Sequence, residues 1–149
     1  VDGAVSLVDV SATILEAAGF KRDSLRPWRL DGDSLVSLMA DRDAEWKDEA
    51  FVEHLAHGTD RARAMVRRGK LKLSYSHGDP AEIELYDLEN DPGEVDNLAD
   101  RPEYSEIQER LTARVLELWG DPDRLTAEIE DSQDARQLIR TVGGDDASF

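Results

Sequence analysis

The sequence predicts an α+β fold: a small antiparallel β-sheet of about four strands packed by a C-terminal helix, with another helix and an irregular connection ahead of it. Three observations predict it. Short strand-like runs carrying apolar residues recur between residues 50 and 88, with turn signals at Gly69-Lys70 and, after the last, at Asn90-Asp91-Pro92-Gly93. A stripe of Ile107, Leu111, Val115 and Leu118 follows at helical spacing. An amphipathic run precedes the strands, over residues 5 to 19.

In chain order, residues 5 to 19 are expected to form a helix with Leu7, Val10, Ile14, Leu15 and Ala18 on one face, stopped at Gly19. Residues 20 to 45 read as an irregular connection containing a short helix at Ser34 to Ala40, around Leu35, Leu38 and Met39. Strands are expected near Ala50 to Glu53, Ala62 to Arg68, Leu71 to Ser76 and Ile83 to Leu88. Gly69-Lys70 makes a tight hairpin between the second and third. Asn90-Asp91-Pro92-Gly93 supplies a turn, Leu98-Ala99 tucks under the next element, and Asp100 is placed to cap it. That element is a helix from about Pro102 to Trp119, its stripe lying on the sheet, ended by Gly120 and Pro122. Residues 123 to 142 form a last helix with Leu125, Ile129, Leu138 and Ile139 apolar, before a mobile Gly143-Gly144-Asp145-Asp146 tail. Three parts result: residues 1–47 with the first helix and connection, 48–120 with the sheet and its helix, and 121–149 as a helical tail.

The formal net charge of −16 argues against a nucleic-acid partner, because phosphate binding relies on clustered Lys and Arg. There is no twenty-residue apolar run and no signal-peptide-like start, so no membrane association is expected. The chain begins Val1-Asp2-Gly3-Ala4 without an initiator Met, as an excised segment would, and any targeting signal is left open. With no cysteine, disulfides are excluded and a reducing compartment is compatible; the compartment stays undetermined, with the cytoplasm favoured. Asp and Glu number 34 against 14 Arg and 4 Lys, a balance that resembles proteins of high-salt organisms or an ordinary acidic bacterial protein.

The most informative stretch is Glu84 to Asp100, ELYDLENDPGEVDNLAD. It resembles the C-terminal region of the sulfatase family, whose members read LYDLxxDPxExxNLA before a terminal helix. VSLVDVSATILEAAG, residues 5 to 19, is similar to that family's V-S-L-x-D-[LI]-x-P-T-[LI]-L-x-x-A-G helix, with Ala12 where proline is usual. Leu30-Asp31-Gly32-Asp33-Ser34-Leu35 resembles its D-G-x-S-L segment. Trp46-Lys47-Asp48, Phe51-Val52-Glu53 and Met65 to Leu73 follow in the family's order, so the likeness covers roughly residues 5 to 120. Within the family, Glu53-His54-Leu55-Ala56-His57-Gly58, Trp119, Asp121-Pro122 and Ser132-Gln133 resemble the choline sulfatase branch.

The resemblance implies that the first helix and the connection belong to an α/β, alkaline-phosphatase-like sulfatase core that this chain lacks. It implies a parent enzyme hydrolysing a sulfate ester, choline sulfate or a similar small ester, with formylglycine and a divalent cation, calcium first, held in that core. The nucleophile motif C/S-x-P-x-R is not present; Leu25-Arg26-Pro27-Trp28-Arg29 has leucine in its place, so the chain alone is expected to be inactive, with no catalytic and no metal residues of its own. The partners implied are the N-terminal core, the sulfate ester and further copies of the chain in a homo-oligomer. The segment would shape the pocket rim and support core packing or oligomerisation. The rival is a non-catalytic interaction or oligomerisation module.

The resemblance points to Glu53, His54 and His57 as substrate-binding residues at the pocket rim, where the Glu53 carboxylate would favour a quaternary ammonium. A surface salt bridge is the alternative role for Glu53. His54 and His57 stand three apart, but no third ligand accompanies them and a rim loop accounts for them better than a metal. His77 reads as a solvated turn residue. Arg67, Arg68, Lys70 and Lys72 form the one basic cluster, for which pairing with acidic neighbours is favoured over sulfate binding. Trp28, Trp46 and Trp119 read as core or interface anchors.

Overall fold

A computed structural model describes residues 3–21, 30–55 and 61–143. The Leu25–Arg29 segment with Trp28, His57, and the tail beyond Gly143 lie outside the described residues.

The first helix, α1 (Leu7–Ala17), starts where Asp9 turns back to accept the Ser6 backbone N–H at 2.7 Å. It ends in a Schellman arrangement: Gly19 takes φ 89°, Gly19 N–H donates to Glu16 O and Phe20 N–H to Leu15 O. The expected short helix is α2 (Val36–Ala40). Between them Gly32 packs directly on α1, since a Cβ there would lie 2.2 Å from the Val8 carbonyl oxygen.

Strands β1 (Glu49–His54), β2 (Arg63–Arg68), β3 (Leu71–Ser76) and β4 (Glu82–Asp87) form one antiparallel sheet in sequence order. Gly69, at φ 57°, makes the tight turn between β2 and β3 that an L side chain would resist. The register aligns Phe51, Val66, Leu73 and Leu85 in one row, and Glu53, Ala64, Tyr75 and Ile83 in the next. Because side chains alternate, both rows share one face.

A single 3-10 turn (Pro102–Tyr104) leads into α3 (Ser105–Trp119), which covers that face. Asp100 does not cap α3. It sits at φ 62°, its N–H donating to Gln108 Oε1 at 2.8 Å, and the turn begins at Arg101 instead. The α3 stripe also departs from expectation in its last member: Leu111, Val115 and Trp119 are buried while Leu118 is exposed. Spacing by four keeps the larger indole over the sheet, and Leu118 rotates off it. Val66, Leu73, Leu85, Leu98, Leu111 and Val115 form the centre of the core. The last helix, α4 (Pro122–Gly143), lays Leu125 against that core and then leaves it; residues 131–142 are exposed throughout.

Candidate functional site at the open end of the sheet

The strand ends nearest the expected rim residues are His54 and Leu55, Arg61 to Arg63, and Ser76 to Gly78. Glu53 and His54, consecutive on β1, project to opposite faces of the sheet. Glu53 shares the α3 side with Ala64 and Tyr75; His54 lies on the other side with Arg63 and Ser76. One ligand therefore meets Glu53 or His54 at this strand, not both from one face.

On the Glu53 side a groove of about 680 Å³ lies between the sheet end and α4, floored by Leu55, Ala62 and Ile129 and edged by His77, Asp123 and Glu130. His77 is not the solvated residue expected from its turn: its side chain is only 19% exposed, and its Nε2 lies 2.8 Å from Asp123 Oδ1. The imidazole meets the Trp119 indole edge-on at 6.5 Å, and Tyr75 meets the same indole at 6.2 Å. Trp119 is thus a core anchor between sheet and α4. Asp123 was not legible as a partner for His77, because the two stand 46 residues apart.

The basic cluster is taken up by acidic and backbone neighbours. Lys72 reaches Glu94 at 2.5 Å, Lys70 reaches Glu89 and Asp87, and Arg67 donates to the Gly69 carbonyl. Arg68 adds its field to that of Arg114 on Glu49. Arg114 donates from both Nε and Nη2 to Glu49 at 3.0 and 2.6 Å, a fork that ties α3 to β1 and holds the Glu49 carboxyl below its ordinary pKa.

The Glu84–Asp100 stretch turns out to be a strap along the β4 edge. Asp87 accepts the Glu89 and Asn90 N–H groups, and Asp91 accepts those of Val95 and Asp96. Asn97 Oδ1 accepts from Leu85 N–H at 3.0 Å and Ala99 N–H at 2.9 Å, and Leu98 N–H donates to Leu85 O. The polar contacts of the stretch are architectural: Asp87, Asp91 and Asn97 accept backbone N–H groups, Glu89 and Glu94 balance Lys70 and Lys72, and Asp96 pairs with Arg101.

A second polar centre lies under α1. Asp9 is fully buried and accepts from Asp33 N–H and Lys47 Nζ, both at 2.8 Å. Burial alone would raise its pKa, but the bonds from Lys47, Asp33 and Ser6 bring it below the ordinary carboxylate value. The outward side of α1 is apolar, with Leu7, Val10 and Ile14 exposed by 86, 42 and 62%. Among the described residues no three His, Cys, Asp or Glu side chains converge as metal ligands.

Fold and site together define a small α+β unit whose sheet has one helix-covered face and whose leading helix turns its apolar side outward. A family model described as N-sulphoglucosamine sulphohydrolase, C-terminal, matches residues 1–121: the chain belongs to the sulfatase C-terminal family. It is 32% identical over 136 residues to choline-sulfatase of Rhizobium meliloti (strain 1021), covering 90% of this chain and 26% of that protein. It is 31% identical over 132 residues to arylsulfatase K of Mus musculus, covering 82% and 22%. Among solved structures, BT4656 in complex with its substrate D-glucosamine-2-N,6-O-disulfate superposes with a TM-score of 0.64 at 25% identity, over 77% of this chain and 25% of that one. The chain thus spans about a quarter of the length of these relatives.

Proposed function

We propose that this chain is the C-terminal portion of a sulfatase that hydrolyses a small sulfate ester, with choline sulfate the first candidate. The observation that carries the reading is the likeness to a choline-sulfatase along 90% of the chain, a protein about four times longer, together with the match of residues 1–121 to a sulfohydrolase C-terminal family. The formylglycine nucleophile and the divalent cation, calcium in the first instance, belong to an N-terminal core outside this chain. The chain alone is accordingly inactive. Its contribution is to cover the core with the apolar side of α1, to shape the pocket rim through β1, and to support assembly into a homo-oligomer.

Glu53, with His54 and His57, is the rim candidate. Its carboxylate lies at the open end of β1, on the face that carries Tyr75, where a negative charge would draw a quaternary ammonium. The test is made on the parent protein with choline sulfate and an uncharged aryl sulfate. Glu53→Gln is expected to raise KM for choline sulfate about tenfold, the equivalent of ~1.4 kcal/mol, with a smaller change for the aryl ester. Equal effects on both esters would remove Glu53 from specificity, and no sulfate release from either would remove the sulfatase reading.

The second reading, a non-catalytic interaction or oligomerisation module, draws on Leu138, Ile139 and Val142, exposed by 65, 57 and 80% on the free part of α4. An open reading frame beginning at or just before Val1 would favour it.

A further inference from the structure

The face of the sheet that carries Glu53 is covered in two steps. Helix α3 lies over its first rows and ends at Trp119, where Gly120, at φ 85°, breaks the helix. The register continues to a last row of Leu55, Ala62 and His77, with His77 N–H donating to Ala62 O at 2.9 Å. That row lines a groove with Thr126 and Ile129, from the first turns of α4. The start of α4 is capped by Asp121 Oδ1, which accepts the N–H groups of Asp123 and Arg124, both at 3.1 Å. Its tie to the sheet end is Asp123 Oδ1 with His77 Nε2, 2.8 Å apart. A carboxylate oxygen accepts, so Nε2 donates. His77 Nδ1 is buried without a partner, which leaves Asp123 as the one hydrogen-bond partner of the imidazole among the described residues. The Trp119 indole, edge-on at 6.5 Å, limits the rotation of the ring.

We infer that His77 and Asp123 are positioning residues: their bond fixes the first turn of α4 over the end of β1, and so sets the place of Leu55 and of the rim carboxylate Glu53. The inference rests on the reading of Glu53 given under the proposed function. The described pairing of β1 ends with His54 opposite Arg63. Leu55, the next residue, packs on the core and lines the α4 groove, and Glu53 stands two residues before it on the same face. An apolar contact tolerates sliding, whereas a hydrogen bond is directional. Asp123 is 88% exposed, so the bond adds little to global stability, and its effect is on direction. The tie thereby couples the family-matched residues 1–121 to a helix that lies outside that match.

The test is made on the parent protein, with choline sulfate kinetics and hydrogen exchange as separate readouts. Asp123→Ala and His77→Phe each remove the bond, the second keeping an aromatic ring against Trp119. Both should raise KM for choline sulfate about threefold to tenfold, with kcat held within about twofold. Asp123→Asn keeps the acceptor and His77→Gln keeps a donor near the Nε2 position, and both should return KM to within about twofold of the unaltered enzyme. In Asp123→Ala, the amides of residues 125–130 should exchange about tenfold faster while those of α3 are unchanged. An unchanged KM in Asp123→Ala and His77→Phe, a fall in kcat as large as the rise in KM, or failure of both conservative variants to restore KM would overturn the positioning role. Unchanged exchange over 125–130, or an equal rise in α3, would overturn the tie itself. No sulfate release from any ester by the unaltered parent would remove the sulfatase reading and the positioning role with it, while exchange would still decide whether His77 and Asp123 hold α4.

Discussion

Asn97 shows how little of a recognisable motif needs to be chemistry. One amide oxygen holds two backbone donors, from Leu85 on β4 and from Ala99, and so closes the edge of the sheet with a side chain rather than a fifth strand. Asn97→Ala would leave the Leu85 N–H without that acceptor beside a fully buried side chain, and the expected loss is about 1–3 kcal/mol in urea unfolding. Asn97→Asp, which keeps the acceptor, should recover most of it; an unchanged midpoint in Asn97→Ala would show that water replaces the amide. The motif was legible because its spacing is distinctive. Its purpose was not, because nothing in the letters says that Leu85 and Asn97 meet across a strand edge. The same holds for Asp9, a polar residue in an apolar helix whose partners lie 24 and 38 positions away.

Placement of α3 rests on its buried apolar stripe and, toward β1, on charge. Its apolar stripe was visible from periodicity, apart from the exchange of Leu118 for Trp119, but the fork between Arg114 and Glu49 joins it to β1 across 65 positions. Hydrogen bonding from Arg114 lowers the Glu49 carboxyl, against burial, which raises it. A depressed carboxyl contributes stability that is complete above its unfolded-state pKa and is lost as pH falls through the folded value. The melting temperature should therefore fall on acidification more steeply in the unaltered chain than in Arg114→Met. Parallel curves for the two would mean that the pair contributes nothing to pH dependence. At the other end of the chain α4 was anticipated as a helix, yet only its first turns touch the core; propensity and pattern reported the helix without what it packs on.

For the whole molecule, 34 acidic residues against 18 basic ones set a repulsion that salt relieves. If the acidic excess is an adaptation to high salt, the melting temperature should keep rising into molar KCl, past the range where simple screening saturates. A flat or falling curve would mark an ordinary acidic protein. The sequence by itself determined the family, the order of the elements and the hairpin between the second and third strands, because sulfatase-like wording, strand-like runs and the Gly69 turn are local signals carried by adjacent letters. Only the tertiary structure decided that Glu53 and His54 face apart, that His77 is drawn out of solvent by Asp123 and Trp119, and that α1 buries Asp9 and Ala12 while Leu7, Val10 and Ile14 face outward. Those outcomes depend on which surfaces meet across dozens of residues, and meeting is fixed by packing and by the pairing of buried charge, neither of which is written in any one stretch of the chain.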